Sequence, residues 1–306
     1  MKAIVTGGAG FIGSHVVDAL IERGIDVFII DNLSSGNKKN INPRAKFTKI
    51  DINDKKILGI FEKIMPDALF HLAAQIDVRR SVMDPAEDAH INILGAIQLL
   101  EASKQVGLKK IIFSSSGGAI YGDTENIPTP ETHTARPISP YGIAKLTCEH
   151  YLHYYKEVFG IDYVALRYAN VYGPRQNSQG EAGVVAVFCN KMIYGEQPVI
   201  YGDGKQTRDY TYVGDIVEAN ILAMQSEKVG AYNIGTGIET DVNALSRMIK
   251  DRLLYKDEII HGKEKKGEVK RSCLDYSLAK KVLGWEPKVQ LEDGIRKTVE
   301  WFRDSK

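Results

Sequence analysis

A doubly wound, parallel α/β sheet followed by a smaller α/β domain is the fold class this sequence predicts, on three observations. The chain opens with a short apolar segment, Met1-Lys2-Ala3-Ile4-Val5, then a run of glycines, then a helical apolar periodicity through Leu20 and Ile21. Apolar runs bounded by turn residues alternate with helical patterns through the first half, as βαβ units do. With 306 residues, 43% of them hydrophobic, one large α/β domain or two interleaved ones can bury a sizeable core.

The first turn, Thr6-Gly7-Gly8-Ala9-Gly10-Phe11-Ile12-Gly13-Ser14-His15, stands between strand and helix, where a dinucleotide site needs it. Gly7 permits the tight turn, Gly10 lets a pyrophosphate approach the helix N-terminus, and Gly13 lets the helix pack closely on the strand. The spacing is Gly-x-x-Gly-x-x-Gly, not the commoner Gly-x-Gly-x-x-Gly. Gly24 closes the helix, and Val27-Phe28-Ile29-Ile30 forms a second strand ending in Asp31-Asn32. An acid roughly 20 residues past the glycines accepts hydrogen bonds from the adenosine ribose and repels a 2′-phosphate, so NAD is expected over NADP. The competing reading is that Asp31 merely begins the turn Asn32-Leu33-Ser34-Ser35-Gly36.

Further on, Ala45 to Ile50 is a strand leading to Asp51-Ile52-Asn53, and Ile57 to Lys63 is a helix. Ala68 to Leu72 is a strand opening into Ala73-Ala74; a long helix runs from about Pro85 to Val106, before the buried strand Lys110-Ile111-Ile112-Phe113. No tandem repeat or low-complexity segment is visible, and the basic run Lys263 to Lys266 reads as a solvated loop.

Phe113 runs into Ser114-Ser115-Ser116-Gly117-Gly118-Ala119-Ile120-Tyr121-Gly122, beyond a strand's carboxyl end, where open parallel sheets bind ligands. A serine there can hydrogen bond to an oxygen that gains or loses a proton, although Ser and Gly after a strand also make ordinary turns. Tyr141-Gly142-Ile143-Ala144-Lys145 sets a Tyr and a Lys about one turn apart on one helix face. A phenol titrates near ~10 in water, and an ammonium with a positively charged cofactor beside it favours the phenolate. Proton abstraction from a sugar hydroxyl then becomes feasible. Alone, the pair fits an ordinary exposed helix; with the serines it reads as a Ser-Tyr-Lys constellation.

A net charge of +1 gives no electrostatic case for nucleic acid or an anionic membrane. Cys148, Cys189 and Cys273 are scattered without histidines at ligand spacing, so neither a disulfide nor a metal site is expected, and a reducing cytosol fits. The first strand begins at Met1, which leaves no room for a signal peptide, and no apolar run approaches the roughly 18 residues of a membrane span.

Together, residues 6 to 13, Asp31-Asn32, Asp51-Ile52, His71-Leu72-Ala73-Ala74, Ser114 to Gly122 and Tyr141 to Lys145 resemble the extended short-chain dehydrogenase/reductase superfamily, within it most nearly the UDP-glucose 4-epimerases and their relatives. The resemblance runs essentially end to end. It implies a Rossmann-type NAD-binding domain over 1–167 and a nucleotide-sugar domain over 168–306, with a returning strand near 231–235 that contributes to the first domain. It assigns catalysis to Ser116, Tyr141 and Lys145, and reversible epimerisation at carbon 4 of a UDP-hexose through a 4-keto intermediate, using tightly bound NAD.

Around NAD the resemblance places Gly7, Gly10, Phe11, Ile12, Gly13, Asp31, Asn32, Ser35, Gly36, Asp51, Ile52, Leu72, Ala73, Ala74, Ser114, Tyr141, Lys145 and Tyr168, with Lys145 at the nicotinamide ribose. Around the substrate it places Val78, Ser116, Asn170, Val184, Val185, Tyr201, Arg208, Lys265, Glu268 and Ser272. Arg208, in Thr207-Arg208-Asp209-Tyr210, suits a diphosphate because its fork is planar and always charged; an ion pair with Asp209 or Asp215 is the plainer alternative. Tyr232-Asn233-Ile234-Gly235 and Leu283-Gly284-Trp285-Glu286-Pro287 look structural.

Two positions depart from the resemblance. Lys265 stands where an Arg is usual, so bidentate geometry is lost. The serine loop is one residue longer than usual, which leaves the catalytic hydroxyl between Ser115 and Ser116, with Ser116 preferred. Gly117-Gly118 replaces the acid pair of the dehydratases and disfavours that chemistry. A UDP-uronic acid substrate would need a further cation, with Arg79, Arg80 and Arg175 as candidates. Ser272 occupies a position that is small in relatives accepting N-acetylated sugars. A non-catalytic cofactor-binding scaffold is the reading from another class, and such proteins usually lose the Tyr or the Lys. A homodimer through helices spanning about 87 to 105 and 141 to 159 is expected, because their apolar positions exceed one core-facing stripe.

Overall fold

Residues 1–178, 183–264 and 269–305 are described by the structure, a computed structural model. In chain order the first half contains β1 (Lys2–Thr6), α1 (Phe11–Glu22), β2 (Asp26–Asp31), β3 (Lys46–Lys49), α2 (Ile57–Ile64), β4 (Ala68–His71), α3 (Val78–Met83) and α4 (Pro85–Ala89). After a π-helical turn (His90–Leu94) come α5 (Gly95–Gln105), β5 (Lys110–Ser116), α6 (Gly117–Ile120), α7 (Pro140–Phe159) and β6 (Asp162–Tyr168). The second half contains β7 (Asn170–Tyr172), α8 (Val184–Ile193), β8 (Val199–Tyr201), β9 (Thr207–Arg208), β10 (Tyr210–Tyr212), α9 (Val213–Gln225) and β11 (Gly230–Ile234). It closes with β12 (Thr240–Asp241), α10 (Val242–Leu253), β13 (Ile260–Gly262), β14 (Arg271–Ser272), α11 (Ser277–Leu283) and α12 (Leu291–Asp304).

Seven strands form one parallel sheet in the order β11-β6-β5-β4-β1-β2-β3. Strands β1 and β4 are nearly all buried because helices cover both faces, which is why they read as unbroken apolar runs. The core on one face gathers Val16, Val17 and Leu20 of α1 with Ile216 and Ala219 of α9; the other gathers Phe61, Leu99, Leu100 and Leu152. From β1 the chain winds out to β2 and β3, then crosses back to β4 and winds the other way. The reversal leaves a crevice above the carboxyl ends of β1 and β4, the place where such sheets bind ligands.

A third core, with Phe188, Met192, Leu245, Ile249, Ile295 and Val299, lies among α8, α10 and α12 under the short strands of the second half. Strand β11 leaves that half and pairs in parallel with β6, Tyr232 opposite Leu166, at the edge of the large sheet. The helix expected over 85 to 106 is interrupted at 90–94. Buried Asn92 uses its side chain to accept from Gln75 N and donate to Gln75 O, both at 2.9 Å, and its own carbonyl accepts from Cys148 Sγ at 3.3 Å. These bonds outside the helix hold the wider turn in place.

Candidate active site

At the cofactor end, the first turn of α1 is kept open by missing side chains. A Cβ on Gly13 would fall 2.8 Å from the Gly7 carbonyl carbon and closer still to its oxygen, so the helix packs on the turn itself as well as above the strand. Gly7 has φ +71°, and a Cβ there would meet Ala73 N at 2.7 Å, which brings the turn against the loop after β4. Gly10 caps α1 without a side-chain hydrogen bond. The amides of Phe11, Ile12 and Gly13 therefore head the helix with its dipole behind them, a fit for a diphosphate.

Asp31 ends β2 with Oδ2 accepting from Ala9 N at 3.0 Å and Oδ1 accepting from Leu33 N at 2.8 Å; Gly36 lies against it. The carboxylate thus closes the turn at the carboxyl end of β2. Exposed Ser35 lies beside Gly36. Asn32 donates to Asp51 Oδ2 at 2.7 Å, tying the ends of two neighbouring loops, and Ile52 is buried beside Gly95. Leu72 N donates to Thr6 O at 3.2 Å and Ala73 N to Thr6 Oγ1 at 3.3 Å, leading the loop through Ala74 across the end of β1.

Strand geometry gives the two serines different partners. Strand β5 extends through Ser116, so alternate serines face opposite sides of the sheet. Ser115 Oγ donates to buried Glu149 Oε1 at 2.5 Å, and Glu149 is paired with Arg167 at 2.6 Å. Ser116 instead shares a hydrogen bond with the Tyr141 phenol. Ser114, on the same side as Ser116, bonds the hydroxyl of buried Tyr168, which also accepts from Asn220 Nδ2 at 2.8 Å.

Tyr141 sits in the first turn of α7, which is capped by Ser139 Oγ accepting from Gly142 N at 3.1 Å. One turn later, Lys145 Nζ donates to Ser114 O at 2.7 Å and lies 5.8 Å from the Tyr141 ring centroid. The expected lowering of the phenol joins Lys145 to a positively charged cofactor; the chain's own groups set the opposite balance. Burial pushes Tyr141 up to about 12, against the Ser116 hydrogen bond and with the charge of Asp88. Burial also brings Lys145 down to about 8, against Cys148, Asp88 and Glu149. The ammonium is spent on a carbonyl and two ring faces, so desolvation of the phenol wins among the chain's own groups. His71, brought down to about 3 by burial and by Lys145, is a neutral partner of Thr6 Oγ1 at 2.9 Å.

Across from Ser116, Gly118 opens toward Ser272 and Asn170: a Cβ there would lie 3.8 Å from Ser272 Oγ and 3.9 Å from Asn170 Oδ1. Residues far apart in sequence thus line one wall. They are held by Asp209, fully buried, whose carboxylate accepts from the backbone amides of Thr236, Gly237 and Leu274 at 2.8 to 3.2 Å. Asp215 accepts from Val289 N at 3.1 Å. With both acids turned to backbone amides, Arg208 is not their ion-pair partner; it donates to Thr207 O at 2.8 Å.

Residues 4–298 match the family described as GDP-mannose 4,6 dehydratase. The chain belongs to that family. Its fold superposes on the UDP-glucose 4-epimerase of Thermotoga maritima, solved with UDP-glucose, with a TM-score of 0.98 and 52% identity over 100% of this chain and 99% of the other. The UDP-glucose 4-epimerase of Thermus thermophilus, solved with NAD, gives 0.95 and 42% over 99% of each chain. The UDP-N-acetylglucosamine 4-epimerase of Methanobrevibacter ruminantium, solved with UDP-N-acetylmuramic acid, gives 0.95 and 40% over 100% and 99%.

Within this dehydratase-named family, Gly117-Gly118 and not an acid pair follows Ser116. Of the other expected residues, Val78 opens α3 and is partly exposed, Tyr201 is exposed on β8, and Val184 and Val185 open α8. The Val185 side chain is buried in the third core, so only its backbone can face a ligand. Lys265 and Glu268 lie outside the described residues. Of the cations considered for a uronate, Arg80 is paired with Glu87 at 2.6 Å and Arg175 with Asp18 at 2.7 Å, and Arg79 is also engaged. Sequence reasoning missed Asp88 and Glu149, and named Asp209 only as an ion-pair candidate for Arg208. For Glu149 a signal was present, since it lies one turn past Lys145 on the Tyr141 face; Asp88 and Asp209 carry none.

Proposed function

We propose that this chain interconverts UDP-glucose and UDP-galactose at carbon 4 through a 4-keto intermediate, with NAD retained in the crevice between β1 and β4. The observation that carries the reading is Ser116 hydrogen-bonded to Tyr141, one turn from Lys145, beyond the carboxyl end of β5 with no acid pair following. Bound NAD supplies a reversible hydride acceptor for carbon 4 and, when oxidised, the positive charge that Lys145 alone does not provide. Tyr141 takes the proton of the 4-hydroxyl and returns it, Ser116 holds that oxygen, and Lys145 stays within reach of both phenol and nicotinamide ribose. Asp31 holds the adenosine ribose, and the turn from Gly7 to Gly13 the dinucleotide diphosphate. Arg208 pairs with the substrate diphosphate and Asn170 contacts it, so the nucleotide is gripped while the sugar can turn. Residues 1–167 with the returning strand serve the cofactor, and 168–306 the substrate.

The small wall at Gly118 and Ser272 supports turnover of the N-acetylhexosamines as well. Ser272→Tyr is expected to lower kcat/KM for UDP-N-acetylglucosamine by about tenfold or more while sparing UDP-glucose, a pocket-volume effect; equal losses on both sugars would remove that assignment. Exposed Val82, Met83, Leu94, Ile143, Tyr154 and Val158 on α3, the π-turn and α7 support a homodimer through these helices, which light scattering tests. No helix among the described residues is long and apolar enough to cross a membrane, and the three cysteines are buried and unpaired, which supports a cytosolic setting. The deciding experiment is incubation with UDP-galactose and no added NAD, following UDP-glucose and NADH together. Conversion without net NADH is expected; net NADH, or no conversion with NAD bound, would defeat the epimerase reading.

A further inference from the structure

Asp88 closes α4 against α7 and is 1% exposed. Its Oδ1 accepts from Gln75 Nε2 at 2.9 Å and from Asn92 Nδ2 at 3.0 Å, while Oδ2 is buried with no hydrogen-bond partner among the described residues. Across the helix interface Lys145, 3% exposed, gives its hydrogen bond to a neutral carbonyl. A buried anion and a buried cation, each bonded to neutral groups, thus lie where α4 packs on α7, the helix that carries Tyr141. Leaving either without an opposite charge nearby is strongly unfavourable in a desolvated site.

We propose that Asp88 is a positioning residue of the Tyr141–Lys145 pair, the buried counter-charge that keeps Lys145 an ammonium. Gln75 and Asn92 hold its carboxylate from one side, so the anion stays in place without a direct bond to Lys145. The widened helical turn at 90–94 is what brings Asn92 into that bracket. Cys148 and Glu149 also favour the ammonium, but both are engaged otherwise. On α7, Glu149 is committed to Arg167 and Ser115, and burial holds Cys148 as a thiol. On its own segment Glu87 is paired with Arg80, Asp84 caps α4, and His90 follows in the widened turn. From the sheet, His71 is neutral, and in the preceding loop Asp77 caps α3.

The sign follows from the charges. The negative charge of Asp88 favours the ammonium of Lys145 and disfavours the phenolate of Tyr141, so its removal lowers the pKa of both. In Asp88→Asn, which keeps shape and the Oδ1 acceptor, both limbs of the kcat/KM profile move to lower pH by about one unit. A residue that only supported the fold would lower the amplitude and leave the limbs in place.

The inference rests on Tyr141 as the proton carrier, so the test includes a readout that does not need turnover. The holoenzyme is titrated by near-ultraviolet phenolate absorbance, with Tyr141→Phe subtracted, in the parent and in Asp88→Asn. A lower Tyr141 midpoint in the variant is expected whether or not UDP-galactose is turned over, whereas failure of turnover in the parent counts against the epimerase reading alone. Should Asp88→Asn not fold, Gln75→Met removes one of the two donors to the carboxylate, and a smaller shift of the same sign is expected. Unmoved midpoints in whichever variant folds would overturn the proposal.

Discussion

Ser115→Ala and Ser116→Ala separate two neighbouring hydroxyls that the strand turns to opposite faces. Ser116 bonds the phenol, and a hydrogen bond to a group that becomes charged is worth about 1.5 to 3 kcal/mol. If that bond is made to the phenolate in the transition state, its loss lowers kcat by roughly 10-fold to 150-fold. The same bond opposes the upward push of burial on Tyr141, so its loss also moves the acid limb of the profile to higher pH. Ser115 bonds Glu149, which keeps three hydrogen bonds from Arg167 at 2.6 to 3.2 Å. Removing that hydroxyl lowers stability by about 1 kcal/mol and leaves kcat within about threefold. The assay is kcat and KM with UDP-galactose across pH, beside a urea midpoint for each variant. A kcat loss in Ser115→Ala as large as in Ser116→Ala, at unchanged stability of both, would refute the assignment from strand alternation.

Further outcomes follow from other parts of the site. Gly13→Ala drives a Cβ onto the Gly7 carbonyl, and the purified variant is expected to carry no NAD in an extract assay. Lys145→Met tests a depressed lysine. The folded state disfavours the ammonium, so the parent bears a penalty of up to about 3 kcal/mol below pH 8 that is relieved as pH rises toward the ordinary value. In urea melts the parent should therefore gain stability between about pH 8 and 10.5, a rise that the variant, lacking the titrating group, does not show. Asp209→Asn sets an amide donor among three backbone amides, and a loss of about 3 kcal/mol or more is expected, read as a lower urea midpoint.

Legibility from the sequence varied with the kind of physics at each position. Strands β1, β2, β4 and β5 were plain because burial on both faces leaves an unbroken apolar run. The turn at Gly7 was plain because few residues but glycine take its backbone shape. Tyr141 and Lys145 were plain because helical spacing alone puts them on one face. Ser115 and Ser116 could not be told apart, since the strand's end, which decides their facing, is set by pairing with β6 and not by local residues. The upward push of burial on Tyr141 was not legible, because neighbours can be named from spacing, whereas burial depends on the whole fold. Asp88 stayed invisible because its partners come from a preceding loop and a widened helical turn, neither of which has a periodic signature.

The return of β11 to the large sheet bears on how such a chain can change over generations. Cutting at 167/168 would take Tyr168 off the end of β6, strip the strand of its outer neighbour and leave its mostly buried remainder as an open edge, an invitation to edge-to-edge association. The cofactor half is therefore not a cassette that a single genetic crossover can transplant. An exchange of the rest of the second half around that strand must make three joints, one after β6 and one on each side of Gly230–Ile234. The simpler route to change is substitution within the segments on either side of the strand that closes the sheet, with that strand left where it is.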